Sequence, residues 1–148
     1  MAWTAPIPYF SEDELKCPGS GILRLDENFA VRLPVLRHEW GRPLIANSVC
    51  RSQSYNDQIG GHPRSLHMTR NPHHPTAGSM AADIRWHDWP AEHKCRFARL
   101  AWQRGWSIGL NDAFCHIDRR RDIGLHQTVF IYDGQWSMPF DKARVYRK

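Results

Sequence analysis

Ala81-Ala82-Asp83-Ile84 and Phe114-Cys115-His116-Ile117-Asp118 are the two short runs whose reading decides the fold. Each is apolar enough for a buried strand, yet each carries an ionisable group. A carboxylate is costly to bury without a partner, and a cation is one such partner. Side chains alternate along a strand, so Asp118 shares a face with His116 while Cys115 points the other way. His67, just after Ser65, offers a second imidazole. Two neutral imidazoles and one carboxylate suit Zn²⁺, with a fourth position left for water. A simpler reading stands beside this one. His116 is then a hydrogen-bonded core histidine, and Asp83 pairs with Arg85 or Arg51.

Working outward, Asp26 reads as a helix start. Phe29, Leu33, Leu36 and Trp40 follow on one helical face, with Pro34 expected to kink or delay the helix and Gly41 to end it. The stretch before Gly21 reads as irregular, Leu44 to Cys50 as a strand, and Ser54 to Ile59 as one or two helical turns. Residues 62–80 carry Pro63, Pro72, Pro75 and Gly78 and read as a long loop, of the kind that is functional or mobile. Ala81 to Trp86 is a strand, and Pro90 opens a helix that Gly105 ends. Further strands are expected at Trp106–Gly109, Phe114–Asp118, Val129–Tyr132 and Gln135–Met138. Asp133-Gly134 is the hairpin signal between the last two. This order predicts an α+β fold: a central, mostly antiparallel sheet with flanking helices.

The 148 residues suit a single domain spanning 1–148. No apolar run approaches the ~18 residues of a membrane span. The N-terminal Met-Ala-Trp-Thr-Ala-Pro-Ile-Pro-Tyr-Phe has no basic or apolar leader region, so no signal peptide is expected. Cys17, Cys50, Cys95 and Cys115 show no CxxC pair and read as small buried hydrophobes. A net charge of +5 favours a polyanionic partner. No helix-turn-helix, zinc-finger or RNP pattern supports nucleic acid, so none is expected.

Three sequence words carry a resemblance. Asn47-Ser-Val-Cys-Arg51-Ser through Gly60-Gly61 to Ser65-Leu-His67, then Gly78-Ser-Met-Ala-Ala-Asp83-Ile, then Phe114-Cys-His116-Ile-Asp118, appear in that order. Together they resemble the zinc D-alanyl-D-alanine carboxypeptidase-like peptidases of family M15, nearest to a subgroup found in bacteriophages and bacteria. The resemblance implies a hedgehog/DD-peptidase-like fold. It implies zinc held by His67, Asp83 and His116, with Arg51 binding a substrate carboxylate or carbonyl and Ser65 close to the metal. Asp112 or Asp118 is then the general base, the alternative for Asp118 being that it orients a ligand from the same strand face. The implied partner is the bacterial peptidoglycan stem peptide, cut by a monomeric lysin without membrane attachment.

Two departures stand out. The interval between His67 and Asp83 is longer than in common relatives and contains His73 and His74; it reads either as a surface insertion with solvent-facing imidazoles or as a loop that shapes the substrate site, acts as a lid or brings a histidine near the metal. Cys50 replaces the usual aromatic residue before the arginine. Trp86, Trp89 and Trp136 are candidates for a groove wall, Trp136 as a substrate contact, with core or rim packing the more ordinary reading for each, while Trp40 and Trp102 read as core. The alternatives are a non-catalytic zinc-binding domain of the same fold, or a structural zinc site closed by His73 or His74.

Overall fold

The computed structural model describes residues 2–74, 76–137 and 139–146. Its centre is a five-stranded sheet of β3 (Ala46–Ser48), β4 (Ala81–Arg85), β5 (Ser107–Leu110), β6 (Phe114–Asp118) and β7 (Val129–Ile131), in the order β3-β4-β6-β5-β7. Every neighbouring pair is antiparallel except β5 with β7, which is parallel. A separate two-stranded sheet joins β1 (Ala2–Trp3) to β2 (Leu25–Asp26).

Strand alternation divides the central sheet chemically. Ala82, Ile84, Cys115, Ile117, Ile108 and Leu110 all have zero exposure and face the main core. Asp83, Arg85, Phe114, His116 and Asp118 fall on the opposite face. Two helices supply the core's other half. Helix α2 (Glu27–Trp40) buries Phe29, Ala30, Leu33 and Leu36, and helix α4 (Ala91–Gln103) buries Cys95, Phe97, Ala98 and Ala101. Asp26 caps α2 by accepting from the Phe29 N–H at 3.0 Å, and left-handed Gly41 ends it. The helix runs through Pro34 without interruption. An interior proline costs about 3 kcal/mol. Burying Phe29, Leu33 and Leu36, at roughly 1.5–3 kcal/mol each, outweighs that.

Several expectations change. The stretch before Gly21 contains a helical turn, α1 (Glu12–Leu15), held by a reciprocal capping box between Ser11 and Glu14. The second Glu14 oxygen accepts the Ala46 N–H at 2.9 Å, so α1 shields the outer edge of β3. The strand expected over Leu44–Cys50 is confined to β3 because its register shifts between Ala46 and Ser48, and Cys50 donates its N–H to Leu15 instead. Helix α3 (Gln53–Gln58) forms where helical turns were expected. All four cysteines are buried.

The Asp133-Gly134 hairpin does not form. A turn is present, with Gln135 N–H donating to the Tyr132 carbonyl at 3.0 Å. The chain beyond it leaves β7, however, and the Gln135 carbonyl accepts from Asp112 N–H at 2.7 Å. Residues 135–137 are not a strand, and Met138 lies outside the described residues. β7 pairs in parallel with β5, so its partner comes from across the sheet, which no turn signal can encode. A last helix, α5 (Lys142–Tyr146), packs on α4.

Candidate metal centre

The cross-strand register brings the centre together. Asp83 and His116 are direct partners on β4 and β6, on the face away from the main core. Directly opposed antiparallel side chains have Cβ atoms about 4.5–5.5 Å apart, close enough to share one ion. His67 arrives from the irregular segment that crosses this face. Its carbonyl accepts from Arg51 N–H at 2.9 Å and from the Ser79 hydroxyl at 2.6 Å, and Met80 N–H donates to the neighbouring Leu66 carbonyl. His67 Nε2 lies 3.1 Å from Asp83 Oδ1, and His116 Nδ1 lies 3.0 Å from the same oxygen. Three such ligands around a tetrahedral ion at 2.0–2.1 Å would stand about 3.3 Å apart, so the spacing fits one small ion.

Proton bookkeeping also fits a cation. His67 Nδ1 sits 2.8 Å from the Val49 carbonyl. A carbonyl only accepts, so the ring's one neutral-form proton is on Nδ1 and Nε2 carries a bare lone pair. Burial pushes the His67 pKa down, against the pull of Asp83, so a second proton is disfavoured. The Nε2 lone pair therefore faces a carboxylate oxygen with no proton between them, an arrangement that a metal ion resolves. On the other ring, His116 Nε2 donates to Asp118 Oδ2 at 2.8 Å and leaves Nδ1 turned toward Asp83. Burial opposes charging His116 as well, but hydrogen bonds to Asp118 and Asp83 prevail and raise its pKa to about 9. The Asp83 carboxyl is held far below its ordinary range. Burial acts against this, and the two histidines outweigh it.

The remaining predicted residues separate clearly. Arg51 belongs to the centre. Its Nη2 lies 3.2 Å from Asp83 Oδ2, and Ser48 and Asn56 accept from the rest of its fork. Asp118 has zero exposure and accepts from His116 and from the backbone N–H, Nε and Nη2 of Arg120. Against its own burial, these bonds hold its carboxyl well below the ordinary range. An acceptor so placed is suited to orienting His116. Asp112 is not brought to the centre. It lies beyond Phe114, at the far end of β6, where the Ser137 N–H and hydroxyl both donate to its carboxylate and lower its pKa. Ser65 accepts the His67 N–H at 3.2 Å and so shapes the turn before the ligand.

The tryptophan and loop alternatives resolve separately: Trp89, with Trp40 and Arg85, lines a surface groove, while Trp86 and Trp136 take the packing reading. Trp86 is fully buried and donates to the Asn111 carbonyl. Trp136 is only 8% exposed; it stacks on Trp86 and donates to the Phe140 carbonyl, so it packs in the core and lines no groove. Burying large indole faces against each other outweighs leaving one in water. His73 pairs with Arg64 and His74 with Thr76, away from the three ligands. Nor is their segment a free lid. Thr69, Asn71 and Ala77 are buried, and Arg24 donates to the Thr69, Thr76 and Ala77 carbonyls.

Sequence reading missed three neighbours of the centre. Arg120 pairs with Asp118, while Phe130 and Tyr132 border His116 and Phe114. The Phe130/Tyr132 alternation was a usable signal for one sheet face, but which strand β7 joins was not. Among the described residues, His67, Asp83 and His116 form the one group with metal-binding geometry. The Peptidase M15 family model matches residues 8–118, a stretch containing all three and Arg51. No curated protein and no solved structure matches the chain.

Proposed function

Because the chain belongs to the Peptidase M15 family, we propose that it is a zinc-dependent peptidase acting on the stem peptides of bacterial peptidoglycan, as a carboxypeptidase or endopeptidase of a phage-type lysin with a hedgehog/DD-peptidase-like fold. The observation that carries this reading is the bare His67 Nε2 facing Asp83 Oδ1 at 3.1 Å, beside His116 Nδ1. His67 Nε2, Asp83 Oδ1 and His116 Nδ1 would hold the ion. When bound, zinc polarises a carbonyl and acidifies a water to near neutrality.

The chain's own residues do the rest. The Val49 carbonyl and Asp118 hold protons on the far nitrogens of His67 and His116, which fixes both ligand atoms. Arg51 neutralises the outer oxygen of Asp83 and presents a forked cation, suited to a substrate carboxylate or carbonyl. The +5 net charge would favour approach to an anionic wall.

One observation favours the non-catalytic zinc domain as a second reading. Both carboxylates proposed as base are tied up, Asp112 by Ser137 and Asp118 by Arg120 and His116. A single experiment separates the two. Metal content and muropeptide products, read by mass spectrometry, are compared for wild type and His67→Ala. Zinc-dependent cleavage lost in His67→Ala supports the peptidase. Stoichiometric zinc without cleavage supports the binding domain.

A further inference from the structure

Phe130, Gly109, His116 and Asp83 form one continuous cross-strand row over β7, β5, β6 and β4. Gly109 is the gap in that row. A Cβ there would stand 2.6 Å from Phe130 Cζ and 2.9 Å from His116 Cβ, so its absence lets the Phe130 ring lie against His116. The two ring centroids are 5.6 Å apart. Two residues along each strand, on the same face, Tyr132 and Phe114 meet at 5.5 Å, and Tyr132 contacts Phe130 at 5.4 Å. The three aromatic rings are half-buried, and Arg120, which holds Asp118, also covers Phe130 at 5.5 Å.

We propose that Phe114, Phe130 and Tyr132 form a side-chain subsite of the metal centre, receiving an aliphatic side chain beside the bond to be cut. This rests on the peptidase reading and adds a specificity to it. The occupant follows from continuity with the centre, because a group held at His116 has Phe130 beside it, and Tyr132 and Phe114 extend that apolar surface. The charged neighbours, Arg51 and Arg120, suit the carboxylate or carbonyl part of the same ligand. Half-buried aromatic faces gain most from covering by an apolar group, and Tyr132 adds a polar edge.

The test uses two metal-chelating probes that differ only in side chain. Leucine hydroxamate and glycine hydroxamate are titrated calorimetrically into the zinc-loaded protein. One apolar side chain in a fitting pocket is worth about 10-fold or more. Leucine hydroxamate should therefore bind wild type at least about 10-fold tighter, with the ratio collapsing in Phe114→Ala and Tyr132→Ala at unchanged zinc content. A wild-type ratio near one overturns the proposal even if neither variant folds. A preserved ratio in both folded variants overturns it as well. Absence of the preference in wild type with intact peptide hydrolysis sinks only the subsite, whereas a clear wild-type preference with no hydrolysis of any wall peptide sinks only the peptidase reading.

Discussion

Asp118→Asn tests whether the carboxylate orients His116 or takes protons from substrate. Asp118 has no exposed side-chain area and accepts from His116 Nε2 at 2.8 Å, Arg120 N–H at 3.0 Å, Nε at 2.9 Å and Nη2 at 2.7 Å. Asparagine keeps the shape but turns one acceptor into a donor. If the new NH₂ faces Arg120, donors oppose donors and the guanidinium loses its counter-ion. If it faces His116, that ring must carry its proton on Nδ1, the atom meant for metal. Outer partners of this kind typically contribute 10–100-fold to metal affinity, which is about 1.4–2.7 kcal/mol. The metal-free protein should also lose about 1.5–3 kcal/mol, the usual contribution of a hydrogen bond to a charged group. Zinc affinity would be measured by competition with a chelating dye, and stability by urea unfolding of the metal-free protein. Zinc affinity within twofold of wild type, together with abolished hydrolysis, would refute the orienting role and restore Asp118 as the base.

Other perturbations reach different parts of the argument. Gly109→Ala forces a carbon into the row between Phe130 and His116, so overpacking of about 1–3 kcal/mol is expected in urea unfolding. Phe130→Ala in the same chain should recover part of that loss, because the Phe130 ring is the nearer clash at 2.6 Å. Arg24→Met keeps the aliphatic stem but frees the Thr69, Thr76 and Ala77 carbonyls. Hydrogen exchange of amides 69–78 should then accelerate, while β4 and β6 stay protected. Asp122 is lowered in pKa by Arg119 and Asn28 against its own burial. Its stabilisation is thus present above the unfolded value of about 4 and lost as pH falls below it. Asp122→Asn should accordingly be less stable than wild type at pH 7, with the difference fading in acid unfolding curves below pH about 4.

Much of the scaffold was legible because its signals are local. The Asp26 cap, the apolar stripe of α2 and the Gly41 stop lie within one helix. The Ser11/Glu14 capping box is equally local, although the surrounding prolines and glycines favour irregular chain. The three ligands were legible through two buried charges in apolar runs and one ordered set of motifs. The base was not. The family resemblance points to Asp112, yet Ser137, 25 positions later, donates to its carboxylate. Trp136 was misplaced for the same reason, since its partners Trp86 and Phe140 emerge only when separate segments pack.

By itself the sequence determined the α+β class, the principal helices and most strands, and the identity of the His67, Asp83 and His116 cluster. The fold elements follow from periodicity and capping, each acting over a few residues, while the cluster is identified by the ordered motifs that resemble family M15, to which the cost of burying charge adds support. Tertiary structure alone decided which nitrogen of each histidine faces the centre, because that depends on the Val49 carbonyl and Asp118. It likewise decided that Arg120 claims Asp118, and that β7 comes alongside β5 and lays Phe130 and Tyr132 against the ligands. Hydrogen-bond partners and parallel strand pairing are set by contacts between distant segments, and no local pattern in the chain encodes them.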